Sequence, residues 1–365
     1  MTHDRILHVV DKLAYSSGVA SIVLNYAQCA KRYTFDFMLN EEPPEDVMNK
    51  ISGWGGSIYV APHLHMRQGY KYVRAVNEFF KTHKEYQIIH GHVANAAVAY
   101  MNAAKRNGIQ YRILHCHSSK GADTPIKQVR NYALNKMGVR AANRYAACSK
   151  VAAEYLFGKK PDVTIFHNAI DIDKYTFDSN IRTHLRKELG LEGKLVIGNV
   201  GRMTPVKNQV FLLSVLAIVL KRLPDSTLLI TGDGYLHETL EHRAAELGIA
   251  DRVSLIGETS QANELYSVMD IFALPSIFEG LPVTGIEAQA NGLPCIISDT
   301  VTREVKITDN CSFLPINDPD LWVDEIIRIY KKGRVDVDKE LMAEYDIEIQ
   351  GERLEEYYDR LWKNR

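Results

Sequence analysis

RILHVV (5–10), DKLAYSSG (11–18) and VASIVLNYAQCA (19–30) are three consecutive pieces of sequence that decide the fold. The first is a short apolar run, which predicts a buried strand. The second is a loop that ends in glycine, and the apolar residues of the third recur with the spacing of a helix. A strand, a glycine loop and a helix in this order form the repeating unit of a parallel sheet covered by helices.

The same alternation continues along the chain. The first half predicts strands at 34–39, 57–60, 87–90, 111–115 and 145–148 and helices at 68–82 and 94–106. After a polar stretch at 174–194, the second half predicts strands at 195–200, 226–231, 253–256, 271–274 and 294–298 and helices at 208–222, 235–247, 261–268 and 283–291. This pattern indicates an α/β fold of two doubly wound Rossmann-like domains, residues 1–175 and 176–346. Parallel sheets bind ligands beyond the carboxyl ends of their strands, so we expect the domains to face a cleft.

Composition excludes several other classes of protein. With 46% hydrophobic and 24% charged residues, the chain has the make-up of a globular protein and not of a disordered one. Its five cysteines are odd in number and scattered, which argues against a disulfide framework or a zinc ribbon and for reduced thiols. The apolar run Ile6 to Val10 is too short for a signal peptide, and Val210 to Leu220 falls well short of the ~20 residues that span a bilayer. We therefore expect a cytoplasmic protein.

Charge is distributed unevenly along the chain. Residues 1–175 contain 23 Lys and Arg against 14 Asp and Glu, and the remainder contains 21 against 31. Segment 120–150 has seven basic residues and one acid, Asp123; the basic ones are Lys120, Lys127, Arg130, Lys136, Arg140, Arg144 and Lys150. Such a segment favours a phosphate-bearing lipid acceptor or peripheral contact with an anionic membrane, and a solvated helix face is the alternative. Its aromatic residues are too sparse for a nucleic-acid platform.

The motif PSIFEGLPVTGIEAQAN (275–291) places two carboxylates around the start of a helix. Glu279 lies in the loop before that helix and Glu287 lies one turn inside it. The helix is introduced by Gly280, Leu281 and Pro282. Free N–H groups of Val283 and Thr284, together with the helix dipole, suit a diphosphate. Glu287 can then accept hydrogen bonds from both hydroxyls of a ribose.

Two cations follow the strand at 195–200. In GRMTPVKN (201–208), Arg202 and Lys207 stand between that strand and the next helix. A leaving diphosphate accumulates negative charge as a glycosidic bond breaks. Cations at this position therefore stabilise the transition state more than the ground state.

Histidines follow a strand of the first half in ILHCHSS (113–119). Strand alternation sends His115 and His117 to the same face. HGH (90–92) and HLH (63–65) repeat the spacing, but no carboxylate accompanies them and no third ligand with convincing spacing stands nearby. The sequence therefore predicts no metal site.

Several motifs, in order, resemble those of the family 4 retaining glycosyltransferases, which have the two-domain GT-B fold. The resemblance covers nearly the whole chain. It is carried by the paired glutamates and by four further stretches: AACSK (146–150), IFHNAIDIDKY (165–175), GRMTPVKN (201–208) and ITGDGYLHETL (230–240). The glycine pair of GDGYLHE borders the ligand cleft in that family, so Gly232 and Gly234 have a modest role at most. By analogy with the fold, the charged amphipathic helix at 347–365 crosses back to the N-terminal domain.

The resemblance also implies roles for single residues. Glu279 and His117 would contact the donor sugar, Glu287 the ribose, and Arg202 with Lys207 the diphosphate. His115 is the alternative to His117 if the register of the strand differs. Gly18 matches one glycine of a phosphate loop that usually contains two, and Ser17 departs from that pattern.

The implied reaction is metal-independent transfer with retention of configuration, in which a donor phosphate oxygen takes the acceptor proton. We expect transfer of a hexose or N-acetylhexosamine from a nucleotide diphosphate sugar, with uridine as the commonest base, to a glycan or lipid-linked acceptor in surface polysaccharide synthesis. No further cofactor and no nucleic acid are expected. The alternatives are a nucleotide-sugar 2-epimerase and a non-catalytic subunit that binds nucleotide sugar.

Overall fold

The computed structural model describes residues 4–14, 17–64, 69–118, 125–160, 162–259 and 261–363. The chain divides into two compact units, and each has one parallel sheet. Unit 1 comprises Met1–Ala169 and Ile347–Arg365, and unit 2 comprises Ile170–Asp346. The two sheets agree with the predicted pair of Rossmann-like domains.

Unit 1 contains a seven-stranded sheet in the order β3-β2-β1-β4-β5-β6-β7. The strands are β1 (Asp4–Val9), β2 (Tyr33–Leu39), β3 (Ile58–Val60), β4 (Ile88–Gly91), β5 (Tyr111–Cys116), β6 (Arg144–Ala147) and β7 (Val163–Ile165). The helices are α1 (Gly18–Cys29), α2 (Glu45–Gly53), α3 (Gly69–Thr82), α4 (Ala97–Arg106), α5 (Pro125–Ala141), α6 (Lys150–Phe157) and α15 (Ile347–Lys363). The strand order reverses between β1 and β4, which is where doubly wound sheets bind ligands.

Unit 2 contains a six-stranded sheet in the order β10-β9-β8-β11-β12-β13. The strands are β8 (Leu195–Val200), β9 (Ser226–Thr231), β10 (Val253–Gly257), β11 (Ile271–Leu274), β12 (Cys295–Ser298) and β13 (Cys311–Leu314). The helices are α7 (Ile172–Tyr175), α8 (Ser179–Glu188), α9 (Gln209–Arg222), α10 (His237–Glu246), α11 (Ala262–Val268), α12 (Val283–Ala290), α13 (Pro319–Tyr330) and α14 (Lys339–Met342). Its core includes Ile197, Leu216, Ile230 and the buried Trp322. The order reverses between β8 and β11, beside the loops that carry the predicted acids and cations.

The division between the units falls after Ala169, six residues before the predicted boundary at Tyr175. The reason lies in α7, which packs against α11 and α12 of unit 2. Ile170 forms a parallel bridge with Asp346, so the two points where the chain passes between the units are adjacent within unit 2.

Helix α15 belongs to unit 1, where it packs against α1. The buried carboxylate of Glu355 accepts the backbone N–H groups of Lys31 and Arg32 at 2.7 and 2.6 Å. These bonds fix the last helix to the turn between α1 and β2.

Among the described residues, no disulfide is formed. In the same part of the chain, no helix is both long and apolar enough to cross a bilayer.

Candidate functional site

Glu279 and Lys207 form an ion pair between two loops of unit 2. Lys207 Nζ lies 2.6 Å from Glu279 Oε1, and both side chains are mostly buried. The hydroxyl of Ser276 donates to the same carboxylate oxygen at 2.8 Å. The structure therefore brings together one predicted cation and one predicted acid that are 72 positions apart.

Backbone contacts hold these two loops in register. The N–H of Ile277 donates to the carbonyl of Val206 at 2.8 Å, and the amide of Asn208 donates to the carbonyl of Pro275 at 3.2 Å. Asn208 has a φ of 54°, in the left-handed region that asparagine tolerates better than most residues. This bend precedes α9.

Close backbone packing explains why the GDG turn (232–234) has glycine at its first and third positions. A β-carbon on Gly232 would lie 2.4 Å from the carbonyl oxygen of Gly201, and one on Gly234 would lie 2.3 Å from that of Met203. The N–H of Met203 donates to the carbonyl of Asp233 at 2.9 Å. These contacts pack the turn after β9 against the loop that carries Arg202.

Arg202 itself is exposed. Its guanidinium has no hydrogen-bond or ion-pair partner among the residues that the structure describes. Both positive groups of the predicted cation pair thus lie in the loop after β8, but within the described ranges only Lys207 pairs with an acid.

The start of α12 offers backbone donors. Pro282 is its N-cap and makes no side-chain cap, so the first N–H groups of the helix have no internal partner. Val283 and Thr284 are half-buried, and Thr284 Oγ1 is buried without a hydrogen-bond partner in the described part of the chain. The side chains of Leu281 and Pro282 are buried, so these two residues contribute shape and backbone.

Two tyrosines that sequence reasoning missed act on Glu287. The hydroxyl of Tyr266 donates to its Oε2 at 2.5 Å, and Tyr175 also acts on the pKa of its carboxyl group. Burial raises the pKa of Glu287, while the tyrosine bonds and the charges of Lys174 and Lys207 lower it. Tyr175 is the last residue of the IFHNAIDIDKY motif, which was the one signal for it in the sequence; Tyr266 had none.

In unit 1, Gly18 is the first residue of α1 and Ser17 is its N-cap. The Ser17 hydroxyl accepts the N–H of Ala20 at 3.3 Å, which explains a serine at this position. A β-carbon on Gly18 would meet no described atom within 4 Å. The fold therefore does not require glycine there, and the space beside the start of α1 is open among these residues.

His115 and His117 do share a face of β5, and they have close neighbours. His117 Nε2 lies 2.8 Å from His92 Nδ1, and His115 Nδ1 lies 3.0 Å from His90 Nε2. His8 of β1 completes the group, with its Nδ1 at 3.1 Å from His92 Nε2. The spacing along the sequence indicated no third histidine near His115 and His117, but the neighbouring strands bring His92 within 4.8 Å of both. His65 of the HLH motif lies outside the described residues.

Burial keeps these imidazoles neutral. Desolvation lowers the pKa of His8 to about 3 and that of His117 to about 4. The pKa values of His90, His92 and His115 are also lowered by burial and by the neighbouring rings.

Helix α5 carries much of the basic segment. Three of its large apolar or aromatic side chains are exposed: Val129 by 73%, Tyr132 by 62% and Met137 by 49%. Lys136 Nζ lies 4.4 Å from the ring centre of Tyr132. Arg130 and Arg140 are exposed on the same helix. Lys120, Asp123 and the side chain of Lys127 lie outside the described residues.

Comparison with known families assigns each half of the chain. Residues 17–174 match the family model described as Glycosyltransferase Family 4, and residues 181–345 match the one described as Glycosyl transferases group 1. Together the two models match most of the sequence, and each falls almost wholly within one structural unit.

Individual proteins agree with this assignment. EpsF of Bacillus subtilis, named as a glycosyltransferase, is 28% identical over 341 residues, which are 90% of this chain and 88% of that protein. The UDP-Gal:alpha-D-GlcNAc-diphosphoundecaprenol alpha-1,3-galactosyltransferase of Escherichia coli is 24% identical over 67% of each chain. In fold, the chain is similar to HepE of Anabaena in complex with UDP and glucose, with a TM-score of 0.82, 17% identity and coverage of 98% of this chain and 100% of that one. The chain belongs to the family 4 glycosyltransferases and has their GT-B fold.

Proposed function

We propose that this glycosyltransferase uses a UDP-linked hexose or N-acetylhexosamine and transfers the sugar, with retention of configuration, to a glycan or lipid-linked acceptor of a surface polysaccharide. One observation carries the proposal: the Lys207–Glu279 pair adjoins the loop that leads into α12, and Glu287 lies one turn inside that helix. The galactosyltransferase of E. coli is named for a UDP-sugar and a diphosphoundecaprenol acceptor, and HepE was solved with UDP and glucose.

The donor diphosphate would bind at the start of α12. The N–H groups of Val283 and Thr284 and the buried Thr284 hydroxyl provide uncharged donors. Lys207 and the exposed Arg202 add positive charge from the loop after β8. Glu287, fixed by Tyr266, has a second carboxylate oxygen with which to accept a ribose hydroxyl.

The transfer step we propose needs no metal ion. As the bond from the anomeric carbon to the phosphate oxygen breaks, negative charge grows on the departing diphosphate and is stabilised by Lys207, Arg202 and the α12 dipole. The acceptor oxygen bonds to the same face of the anomeric carbon and passes its proton to a donor phosphate oxygen. Glu279 would hold hydroxyls of the donor sugar, while Gly18 and His117 remain proposed contacts for the phosphate and the sugar.

The acceptor side of the proposal concerns α5. Exposed apolar side chains interleaved with Arg130, Lys136 and Arg140 suit the surface of an anionic bilayer, where a lipid-linked acceptor is anchored. We propose peripheral contact of this helix with the inner face of the cytoplasmic membrane.

Labelled UDP-glucose, UDP-galactose and UDP-N-acetylglucosamine, each incubated with the enzyme and membrane lipid extract, test the proposal. Transfer of label to lipid or glycan is expected. Exchange at C2 of the sugar would favour the 2-epimerase, and tight binding without turnover would favour a non-catalytic subunit; either would contradict the proposal.

Two variants separate the roles of the acids. Glu287→Ala should weaken UDP binding and Glu279→Ala should chiefly lower kcat, each by roughly 10–100-fold, the range for one hydrogen bond to a charged group. Calorimetry with UDP and initial rates with the preferred donor measure the two effects. Glu356→Ala, on the exposed face of α15, is the matched control. Equal and negligible effects of both site variants would refute the assigned roles.

A further inference from the structure

Five histidines gather at the point where the strand order of unit 1 reverses. His8 comes from β1, His90 and His92 from β4 and the residue after it, and His115 and His117 from β5 and the residue after it. They line a small cavity of about 10 Å³, which is the space of one water-sized sphere. The apolar side chains of Ile22, Val23 and Leu354 close its other side. Nothing in the proposed transfer step explains four of these five imidazoles.

Three of the rings converge. One ring nitrogen from each of His92, His115 and His117 lies within 4.8 Å of the others. His92 Nδ1 and His117 Nε2 point at each other across 2.8 Å. His115 Nε2 is buried and has no hydrogen-bond partner in the described part of the chain.

The opposite nitrogen of two of these three rings already has a partner. His92 Nε2 meets His8 Nδ1 at 3.1 Å, and His115 Nδ1 meets His90 Nε2 at 3.0 Å. His90 Nδ1 in turn meets the Tyr358 hydroxyl at 2.6 Å, whereas His117 Nδ1 is buried and has no hydrogen-bond partner among the described residues. Metal-binding histidines typically use one nitrogen for the ion and the other for such a supporting bond, which fixes the tautomer.

We propose that His92 Nδ1, His115 Nε2 and His117 Nε2 bind a divalent transition-metal cation of the zinc class. Neutral imidazole is a ligand that zinc, copper and nickel accept, whereas magnesium and calcium require oxygen. Zinc–nitrogen bonds of 2.0–2.1 Å in a tetrahedral site place ligand nitrogens about 3.3 Å apart, so the His92–His117 pair need open by only about half an ångström. Three protein ligands leave a fourth position for water or a substrate oxygen.

A bound cation would give a partner to a buried ring nitrogen of the cluster. A buried polar atom without a hydrogen-bond partner is destabilising, and His115 Nε2 is such an atom among the described residues. The site goes beyond the proposed function and competes with it at one residue, because it uses the nitrogen of His117 that would otherwise be offered to a donor sugar.

Zn²⁺ and Co²⁺ titrations of the untagged, chelator-treated full-length enzyme test the proposal. Wild type should bind one Zn²⁺ per chain at micromolar concentration, show a rise in Tm, and give the intense visible absorption of tetrahedral Co²⁺. His115→Leu should abolish the Co²⁺ spectrum. A wild-type protein that binds no Zn²⁺ at micromolar concentration would overturn the proposal, whatever the stability of the variants.

Two further variants locate the ion. The double variant His184→Ala/His242→Ala removes two highly exposed imidazoles that lie beside glutamates, and it should retain stoichiometry and spectrum. Loss of binding in this variant would mean surface binding only. His90→Phe removes the supporting partner of His115 and should weaken binding by about 10–100-fold. Complete loss in His90→Phe with retention in His115→Leu would place the ion on His8, His90 and His92 and refute the proposed ligands.

Discussion

Glu287 places an ionisable group where burial disfavours its charge. Tyrosine hydroxyls and the nearby lysines compensate in part, but the net effect on its pKa is a rise from 4.5. If this position served only the stability of the fold, a glutamine would suit it better than a glutamate. A glutamine can accept the same hydrogen bond from Tyr266 without burying a charge. The carboxylate is therefore better explained by a ligand that needs two strong acceptors, such as a ribose diol.

This argument predicts that Glu287→Gln stabilises the nucleotide-free enzyme. The protonated form of Glu287 contributes stability that is complete below pH 4.5 and is lost as the pH rises through the raised pKa. Glutamine cannot ionise, so the difference in Tm between variant and wild type should grow as the pH rises from about 4 to 7. Thermal melts across this range measure it, and Glu356→Gln controls for the substitution itself. A variant less stable than wild type at pH 7 would contradict the argument.

The histidine cluster shows which part of a site a sequence can predict. Strand alternation correctly placed His115 and His117 on one face, because side chains of a strand alternate. It could not supply His92 as a neighbour of His117, since their proximity depends on β4 lying beside β5. The same limit hid Tyr266, which meets Glu287 through the packing of α11 and not through any motif.

At the scale of elements, strands were predicted more completely than helices. Apolar runs marked most of the strands because both faces of these sheets are covered. Helix α8 lies within the stretch that appeared only polar, because its stability comes from Arg182 and Arg186, which bond to Asp270 and to nearby carbonyls. Because these stabilising contacts are made by arginines, α8 lacks the periodic apolar residues by which a helix is recognised in a sequence. The half-buried strands β7 and β13 were missed as well.

The turn after β9 makes a testable contribution to the cation loop. Gly234→Ala would force a β-carbon to 2.3 Å from the carbonyl oxygen of Met203 and displace the segment that carries Arg202 and Lys207. We expect a loss of about 1–3 kcal/mol in the free energy of unfolding, as for other overpacked positions, together with weaker UDP binding. Urea unfolding and calorimetry measure the two effects. Gly53→Ala, which meets no described atom, should preserve both.

Helix α5 allows the membrane proposal to be tested by charge alone. Arg130→Gln/Lys136→Gln should weaken binding to vesicles of phosphatidylcholine with phosphatidylglycerol by about 2 kcal/mol, or roughly 30-fold, at about 1 kcal/mol per basic residue. Co-sedimentation measures it. Lys331→Gln/Lys332→Gln, two exposed lysines of unit 2, is the matched control. Equal losses in both pairs would indicate an effect of net charge and not of α5.

On the scale of the whole molecule, the two units differ in how the chain forms them, because unit 1 is built from two separate stretches of sequence. Unit 2 is one continuous stretch, whereas unit 1 requires α15 from the C-terminus. The buried side chains of this helix include the apolar or aromatic ones of Leu354, Tyr357, Tyr358 and Leu361, together with the carboxylate of Glu355. At about 1.5–3 kcal/mol for each buried apolar side chain, their loss is comparable with the total stability of an ordinary domain.

Separated pieces of the chain should therefore behave differently. We expect the fragment 170–346 to fold alone and to bind UDP, because Lys207, Glu279, Glu287 and the start of α12 all lie within it. The fragment 1–169 should lack a cooperative thermal transition, since its apolar face for α15 and the N–H groups of Lys31 and Arg32 lose their cover. Circular dichroism melts and calorimetry with UDP measure both outcomes, and a peptide of residues 347–365 added to fragment 1–169 should restore part of the transition. If fragment 1–169 melts cooperatively and the peptide does not change its transition, then α15 is not needed to complete the core of unit 1.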